Sequence, residues 1–69
     1  MKNNIKNLRK QLGLRQEDVA KRLGVTRQTI IAIENDKYNP SLELAMKLAK
    51  LLGEPVEQIF FLDKNKKRS

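Results

Sequence analysis

Three glycines, each placed directly after an apolar run, divide this sequence into short segments. Gly13, Gly24 and Gly53 follow stretches in which apolar side chains recur every three or four positions. A glycine just past such a run is typical of a helix end, because it adopts the left-handed backbone conformation without steric strain. The pattern therefore predicts an all-α fold of short helices joined by tight turns.

Capping residues and the apolar spacing predict five helices. The first three cover residues 2–12, 16–23 and 27–35. Thr26 is the N-cap of the third helix. Pro40 prevents that helix from continuing, and Ser41 caps a fourth helix that ends before the third glycine. Pro55 suits the first turn of a short fifth helix ending near Phe60.

The side chains expected in the core share the inward face of each predicted helix. They are Ile5, Leu8, Leu12, Val19, Ala20, Leu23, Ile30, Ile33, Leu44, Ala45, Leu48, Ala49, Leu51 and Leu52, with Val25 inserted beneath the turn after the second helix.

Length and composition exclude several classes of protein. The chain has 69 residues with no cysteine and no histidine. One small domain is expected, without disulfides, the usual zinc ligand sets or any other cofactor. No acid, base and nucleophile are grouped in the sequence, so an enzyme is the weakest alternative. Apolar runs are too short for a membrane span or signal peptide, which fits a cytoplasmic, nucleoid-associated protein.

The net charge of +7 is concentrated at the C-terminus, because residues 63–69 contribute +3 of it. We expect a folded domain over residues 1–62 and a mobile basic tail over residues 63–69. The tail either follows DNA phosphates or only increases solubility. A basic chain of this size indicates nucleic acid or an anionic surface as partner.

The segment RLGVTRQ, between the second and third helices, has the length and chemistry of a helix-turn-helix turn. Gly24 permits the sharp turn, and Ala20 is small where the two helices cross. A helical hairpin without a DNA role shares these features, so spacing alone leaves both readings open.

Residues 8–60, LRKQLGLRQEDVAKRLGVTRQTIIAIENDKYNPSLELAMKLAKLLGEPVEQIF, resemble the Cro/C1-type (XRE-like) helix-turn-helix transcriptional regulators. The string TRQTI…IE…KYNPSLELA is most similar to the small cytolysin-repressor-like subgroup. The resemblance implies a five-helix lambda-repressor-like domain with its helix-turn-helix at residues 16–35. It also implies a homodimer that binds an inverted-repeat operator in double-stranded DNA, with repression favoured but activation left open.

The resemblance also assigns residues to DNA contacts. Arg27 and Gln28 match positions that face base edges, where Arg suits guanine and Gln suits adenine. Ile31 and Ala32 lie on the outer side of the second turn, where they either contact thymine methyl groups or are partly exposed without contacts. The matching backbone positions are Gln16, Thr26, Thr29, Asn35, Lys37, Tyr38 and Asn39, with solvated cap and turn residues as the alternative.

Two arginines have different predicted roles. Arg9 and Glu34 match a family pair that forms a shielded, structural salt bridge; the alternative is two independent surface charges. Arg15 stands where the second helix needs a side chain that accepts hydrogen bonds, which an arginine cannot do. We expect Arg15 to contact a DNA phosphate at the expense of the cap.

Apolar residues near the C-terminus provide a candidate dimer interface, Ile59, Phe60, Phe61 and Leu62. A short strand at residues 61–63 can pair with residues 1–3. The alternative is that Val56, Ile59 and Phe60 close the monomer core. We favour a mixed outcome, in which Phe61 and Leu62 are left for the partner.

An antitoxin-like protein-interaction module with autoregulatory DNA binding remains a rival function. No binding site for a small-molecule effector and no membrane contact are predicted.

Overall fold

Five helices and two short strands make up residues 2–62, the part of the chain that the computed structural model describes. Their order is β1 (Lys2–Asn3), α1 (Ile5–Gln11), α2 (Gln16–Leu23), α3 (Arg27–Glu34), α4 (Leu42–Leu52), α5 (Val56–Ile59) and β2 (Phe60–Phe61). The predicted all-α class with five helices and a terminal strand pair is confirmed. The predicted basic tail lies outside the described residues.

The turn between α2 and α3 forms as the sequence predicts. Gly24 has a φ of 74°, and the next N–H, from Val25, donates to the carbonyl oxygen of Ala20 at 3.0 Å. Thr26 then caps α3, since its Oγ1 accepts the N–H of Thr29 at 3.3 Å. Together these bonds satisfy backbone groups that two helix ends leave free.

The predicted start of the first helix is wrong, because residues 2 and 3 form a strand. Lys2 pairs with Phe61 and Asn3 with Phe60 in an antiparallel register. The Asn3 side chain accepts the N–H of Ile5 at 3.1 Å, so α1 begins only there. The predicted strand pair is therefore present. Its second strand begins at Phe60, one residue earlier than predicted.

The core lies between all five helices. Its buried apolar residues are Ile5, Val19, Ala20, Leu23, Ile30, Ile33, Leu44, Ala45, Leu48, Leu52, Ile59 and Phe60, with Leu8, Leu14, Val25, Ala49, Leu51 and Val56 packed around them. Leu12 was expected in the core but is 52% exposed. The reason is that α1 ends at Gln11, and the chain reverses so that Leu14 packs instead. None of the helices in residues 2–62 is long and apolar enough to cross a membrane.

Candidate nucleic-acid interface

The first turn of α3 presents polar side chains to solvent. Ile30 and Ile33 are almost completely buried, which fixes the inward face of this eight-residue helix. Arg27 and Gln28, at its start, are both exposed; Gln28 lies opposite the inward face and Arg27 to one side of it. Both predicted base-reading side chains are thus accessible to a ligand at the N-terminus of α3.

A depression of about 410 Å³ lies beside this turn, and it brings together residues that are distant in sequence. We call it the arginine depression; it is lined by Arg9, Arg15, Gln16, Glu17 and Arg27. Gln16 is the first residue of α2. The N–H groups and the positive dipole end of a helix favour an anion at such a place. The guanidinium groups of Arg15 and Arg27 add to that preference, the carboxylate of Glu17 offsets part of it, and the charge of Arg9 is compensated by Glu34. A phosphate group suits this chemistry.

Arg15 borders the depression without capping α2. Its side chain accepts no hydrogen bond, while its backbone N–H donates to Oδ2 of Asp18 at 2.8 Å. That backbone bond, with the nearby guanidinium, lowers the pKa of Asp18 below its ordinary value of 3.8. The Arg15 guanidinium lies 3.4 Å from Asp18 and 3.5 Å from Glu17 but is 75% exposed. Exposed pairs of this kind are weak, so the guanidinium is free to turn toward an external anion.

Behind the depression, Arg9 and Glu34 form a shielded salt bridge. Arg9 Nε lies 2.7 Å from Glu34 Oε2, and Arg9 Nη2 donates to Oε1 at 3.2 Å. Arg9 Nη1 donates to the carbonyl oxygen of Leu14 at 3.1 Å. Gln16 Nε2 also donates to Glu34 Oε1, at 3.2 Å. One carboxylate therefore connects α1, the start of α2 and the end of α3.

The second turn of α3 is less accessible than its first. Ile31 and Ala32 are both partly buried, so only part of each side chain is open to a ligand. Thr29 is also partly buried, and its Oγ1 lies 3.1 Å from Oγ1 of Thr26. The exposed Thr26 is thus the more accessible of the two hydroxyl groups.

The loop after α3 carries four predicted phosphate-binding residues, Asn35, Lys37, Tyr38 and Asn39, all exposed. Tyr38 does not line the arginine depression. It lines a second one with the helix-turn-helix turn and α4, next to Gly24 and Lys47. Tyr38 therefore borders a different depression from Arg15 and Gln16.

The predicted dimer residues divide into two pairs. Ile59 and Phe60 are buried in the core of this chain, whereas Phe61 is 40% and Leu62 80% exposed. Leu42, 74% exposed, was missed by the sequence analysis. It shares with Phe60 an apolar depression of about 150 Å³ lined by Pro40, Leu42, Ala45, Val56 and Phe60. The signal in the sequence is that Leu42 is an apolar residue of α4 that does not share the face of the buried residues of that helix.

The fold and this surface define a helix-turn-helix DNA-binding domain. A family model described as Helix-turn-helix matches residues 5–59. The chain belongs to that family, and it is a transcriptional regulator of this class.

Known proteins resemble the chain over most of its length. It is 57% identical over 63 residues to an uncharacterized HTH-type transcriptional regulator of Methanocaldococcus jannaschii, covering 91% of this chain and 96% of that protein. It is 40% identical over 55 residues to the cryptic phage CTXphi transcriptional repressor RstR of Vibrio cholerae, covering 80% of this chain and 50% of that protein. The solved structure of the restriction-modification controller protein C.AhdI from Aeromonas hydrophila matches with a TM-score of 0.73 and 32% identity, covering 81% of this chain and 85% of that one.

Proposed function

We propose that this protein is a homodimeric repressor that binds an inverted-repeat operator, with α3 in the major groove. The observation that carries the proposal is the exposure of Arg27 and Gln28 side by side on the first turn of α3, next to the arginine depression. Base edges in the major groove are read by such side chains, while cationic sites hold the adjacent phosphates. Operator binding takes place in the nucleoid, within the cytoplasm.

Base reading is concentrated at the first turn. Arg27 has the geometry to bond O6 and N7 of a guanine, and Gln28 to bond N6 and N7 of an adenine. Ile31 and Ala32, which are partly buried, contribute at most apolar contact with thymine methyl groups. Each half-site is therefore short, with its strongest base preferences at the two positions that Arg27 and Gln28 reach.

Phosphates on both sides of these bases hold the protein in register. Gln16 and Arg15 serve one side through the arginine depression, together with the N-terminus of α2. Thr26 and Thr29 support the contact at the start of α3, and Lys37 leads the set from the following loop, with Asn35, Tyr38 and Asn39. If a dimer neutralises about 8 phosphates, log K falls with log salt with a slope near −7, by the usual ~0.9 per phosphate.

The exposed apolar surface near the C-terminus supports a dimer. Phe61 and Leu62 remain available to a partner, and Leu42 on α4 is a further exposed apolar residue, which shares a depression with Phe60. Buried Ile59 and Phe60 shape this surface from below. A two-fold arrangement that places two α3 helices roughly 34 Å apart matches one turn of DNA.

The dimer is tested by sedimentation velocity of the full chain. Leu62→Gln and Leu42→Gln are expected to shift the protein to monomer, while Leu12→Gln, at another exposed leucine just past the end of α1, serves as the control. The dimer is contradicted if the wild-type protein is monomeric at micromolar concentration both in the absence and in the presence of DNA.

Repression is favoured over activation because the relative RstR is named a transcriptional repressor and a dimer on a promoter excludes polymerase. The first experiment is selection of bound duplexes from a random pool at roughly physiological salt, followed by sequencing. An enriched inverted repeat with half-sites about one helical turn apart supports the proposal. Binding without enrichment contradicts sequence-specific recognition, and no binding turns attention to a protein partner.

A further inference from the structure

Gln16 and Glu34 are joined by a hydrogen bond that connects the start of α2 with the end of α3. Gln16 Nε2 donates to Glu34 Oε1 at 3.2 Å, although 18 residues separate them in the chain. The Glu34 side chain is 4% exposed, whereas Gln16 reaches the arginine depression. A buried carboxylate thus holds a side chain that faces the proposed DNA surface.

The acceptor itself is held rigidly. Both oxygens of Glu34 accept hydrogen bonds from Arg9, at 2.7 and 3.2 Å, which is a bidentate arrangement. Arg9 is fixed in turn by its third bond, to the carbonyl oxygen of Leu14 at 3.1 Å. Glu34 therefore stays in place while Gln16 meets a ligand.

The chemistry of a carboxylate decides which end of the Gln16 amide faces inward. An ionised carboxylate only accepts hydrogen bonds, so the amide nitrogen must point toward Glu34 and the amide oxygen away from it. An unrestrained glutamine rotates its amide freely and presents its oxygen, which repels a phosphate, as often as its nitrogen. The nitrogen held by Glu34 has a second hydrogen, which remains available for another acceptor.

We propose that Glu34 is the positioning residue for the phosphate contact of Gln16. It fixes the amide so that one hydrogen binds Glu34 and the other binds a DNA phosphate at the N-terminus of α2. This inference rests on the proposed function, because it assigns a geometry to one of its phosphate contacts. It also gives the Arg9–Glu34 pair a part in DNA binding that its burial alone does not imply.

The test measures the Gln16 contact in two backgrounds. Gln16→Met keeps the side chain's length and removes its donor; in the wild-type background it is expected to weaken binding to the selected operator duplex about tenfold. It should also reduce the penalty of a single neutral methylphosphonate at the phosphate that Gln16 contacts in each half-site; the penalty that remains comes from Arg15 and the N-terminus of α2. The second background, Arg9→Met with Glu34→Met, removes both buried charges together, so that neither remains unpaired.

In that second background, Gln16→Met is expected to change affinity less than twofold and to leave the methylphosphonate penalty unchanged. If the salt bridge is purely structural, removing it changes only the melting temperature and leaves the Gln16 effect at tenfold; that result overturns the proposal. If the wild-type protein binds no duplex at all, the proposed function fails instead, which is a distinguishable outcome.

A second measurement needs no variant of Glu34, in case the double variant does not fold. In ¹⁵N spectra of the wild-type protein, one Gln16 side-chain hydrogen is expected to be shifted downfield and protected from exchange by Glu34. Addition of the operator duplex should shift its partner on the same nitrogen and leave the protected hydrogen in place. The proposal is overturned if both hydrogens have the shifts and the fast exchange of the other glutamine side chains, or if the duplex leaves both unchanged.

Discussion

Arg9 holds both carboxylate oxygens of Glu34 across 25 residues of sequence, through Nε at 2.7 Å and Nη2 at 3.2 Å. Their side chains are only 8% and 4% exposed. Because both side chains are almost inaccessible to solvent, each charge is stabilised mainly by the other, and an isolated buried charge would be strongly unfavourable. The pair therefore joins α1 to the last residue of α3.

Replacing Arg9 alone tests this dependence. Arg9→Met leaves Glu34 buried without its partner and is expected to lower the free energy of unfolding by about 3–5 kcal/mol. A domain of this size has about 3–10 kcal/mol in total, so the variant should lose a large share of its stability. Urea denaturation followed by circular dichroism measures the loss. Adding Glu34→Met to the variant should recover much of the stability; a loss below about 1 kcal/mol in the single variant means that the pair behaves as a surface pair.

Asn3 stabilises the junction between β1 and α3. Its Nδ2 donates to the carbonyl oxygen of Ile33 at 2.8 Å, while its Oδ1 accepts the N–H of Ile5. Asn3→Ala removes both bonds and is expected to lower the free energy of unfolding by about 1–3 kcal/mol. The control is Asn7→Ala, which removes an exposed bond to Asn4 and should change stability by less than about 0.5 kcal/mol. Equal losses in the two variants contradict the prediction.

Arg15 lies at a helix start where serine is the better residue. Arg15→Ser supplies the missing acceptor opposite Asp18 and is expected to stabilise the domain by about 1 kcal/mol. The same change removes a cation from the arginine depression, so operator affinity should fall and the salt slope weaken by about one per protomer. Thermal melting and salt titration of binding measure the two effects. Unchanged affinity rules out the phosphate role of Arg15, and Arg15→Ala separates the effects because it supplies no cap.

Asp18 makes stability depend on pH in the acid range. The backbone N–H of Arg15, which it accepts, holds its pKa below 3.8 in the folded state. Its contribution is therefore present at neutral pH and is lost as pH falls from about 4 through the lowered pKa. In Asp18→Asn, the melting temperature at pH 7 should be lower, and it should fall less between pH 5 and pH 2.5. Parallel melting curves for the two proteins across that range contradict the assignment.

Two substitutions separate base reading from phosphate binding. Arg27→Ala is expected to lose about 1–3 kcal/mol at the selected operator and to relax the base preference at one position of each half-site. Lys37→Ala should weaken binding to all sequences alike and reduce the salt slope by about one per protomer. Competition binding with operator variants at two salt concentrations compares them. Equal loss on every sequence in Arg27→Ala means that this arginine contacts the backbone.

The sequence by itself determined the helix-turn-helix. The bounds of α2, the Thr26 cap and the turn at Gly24 form as predicted, because each depends on residues within one helical turn. The fourth helix also begins after Ser41, whose Oγ accepts the N–H of Leu44 at 3.1 Å. Short-range capping and apolar periodicity are visible in a single sequence, so the position of the candidate base-reading residues was predictable.

Tertiary structure decided which side chains those helices bury and connect. The pairing of Lys2 with Phe61 and the bond from Gln16 to Glu34 join residues far apart in the chain, and no local signal specifies them. Likewise Leu12 and Leu42 carry the same side chain as the core leucines, yet both are exposed. The physical reason is that burial depends on what packs opposite a residue: α1 ends before Leu12 can face the core, and no described part of the chain covers Leu42.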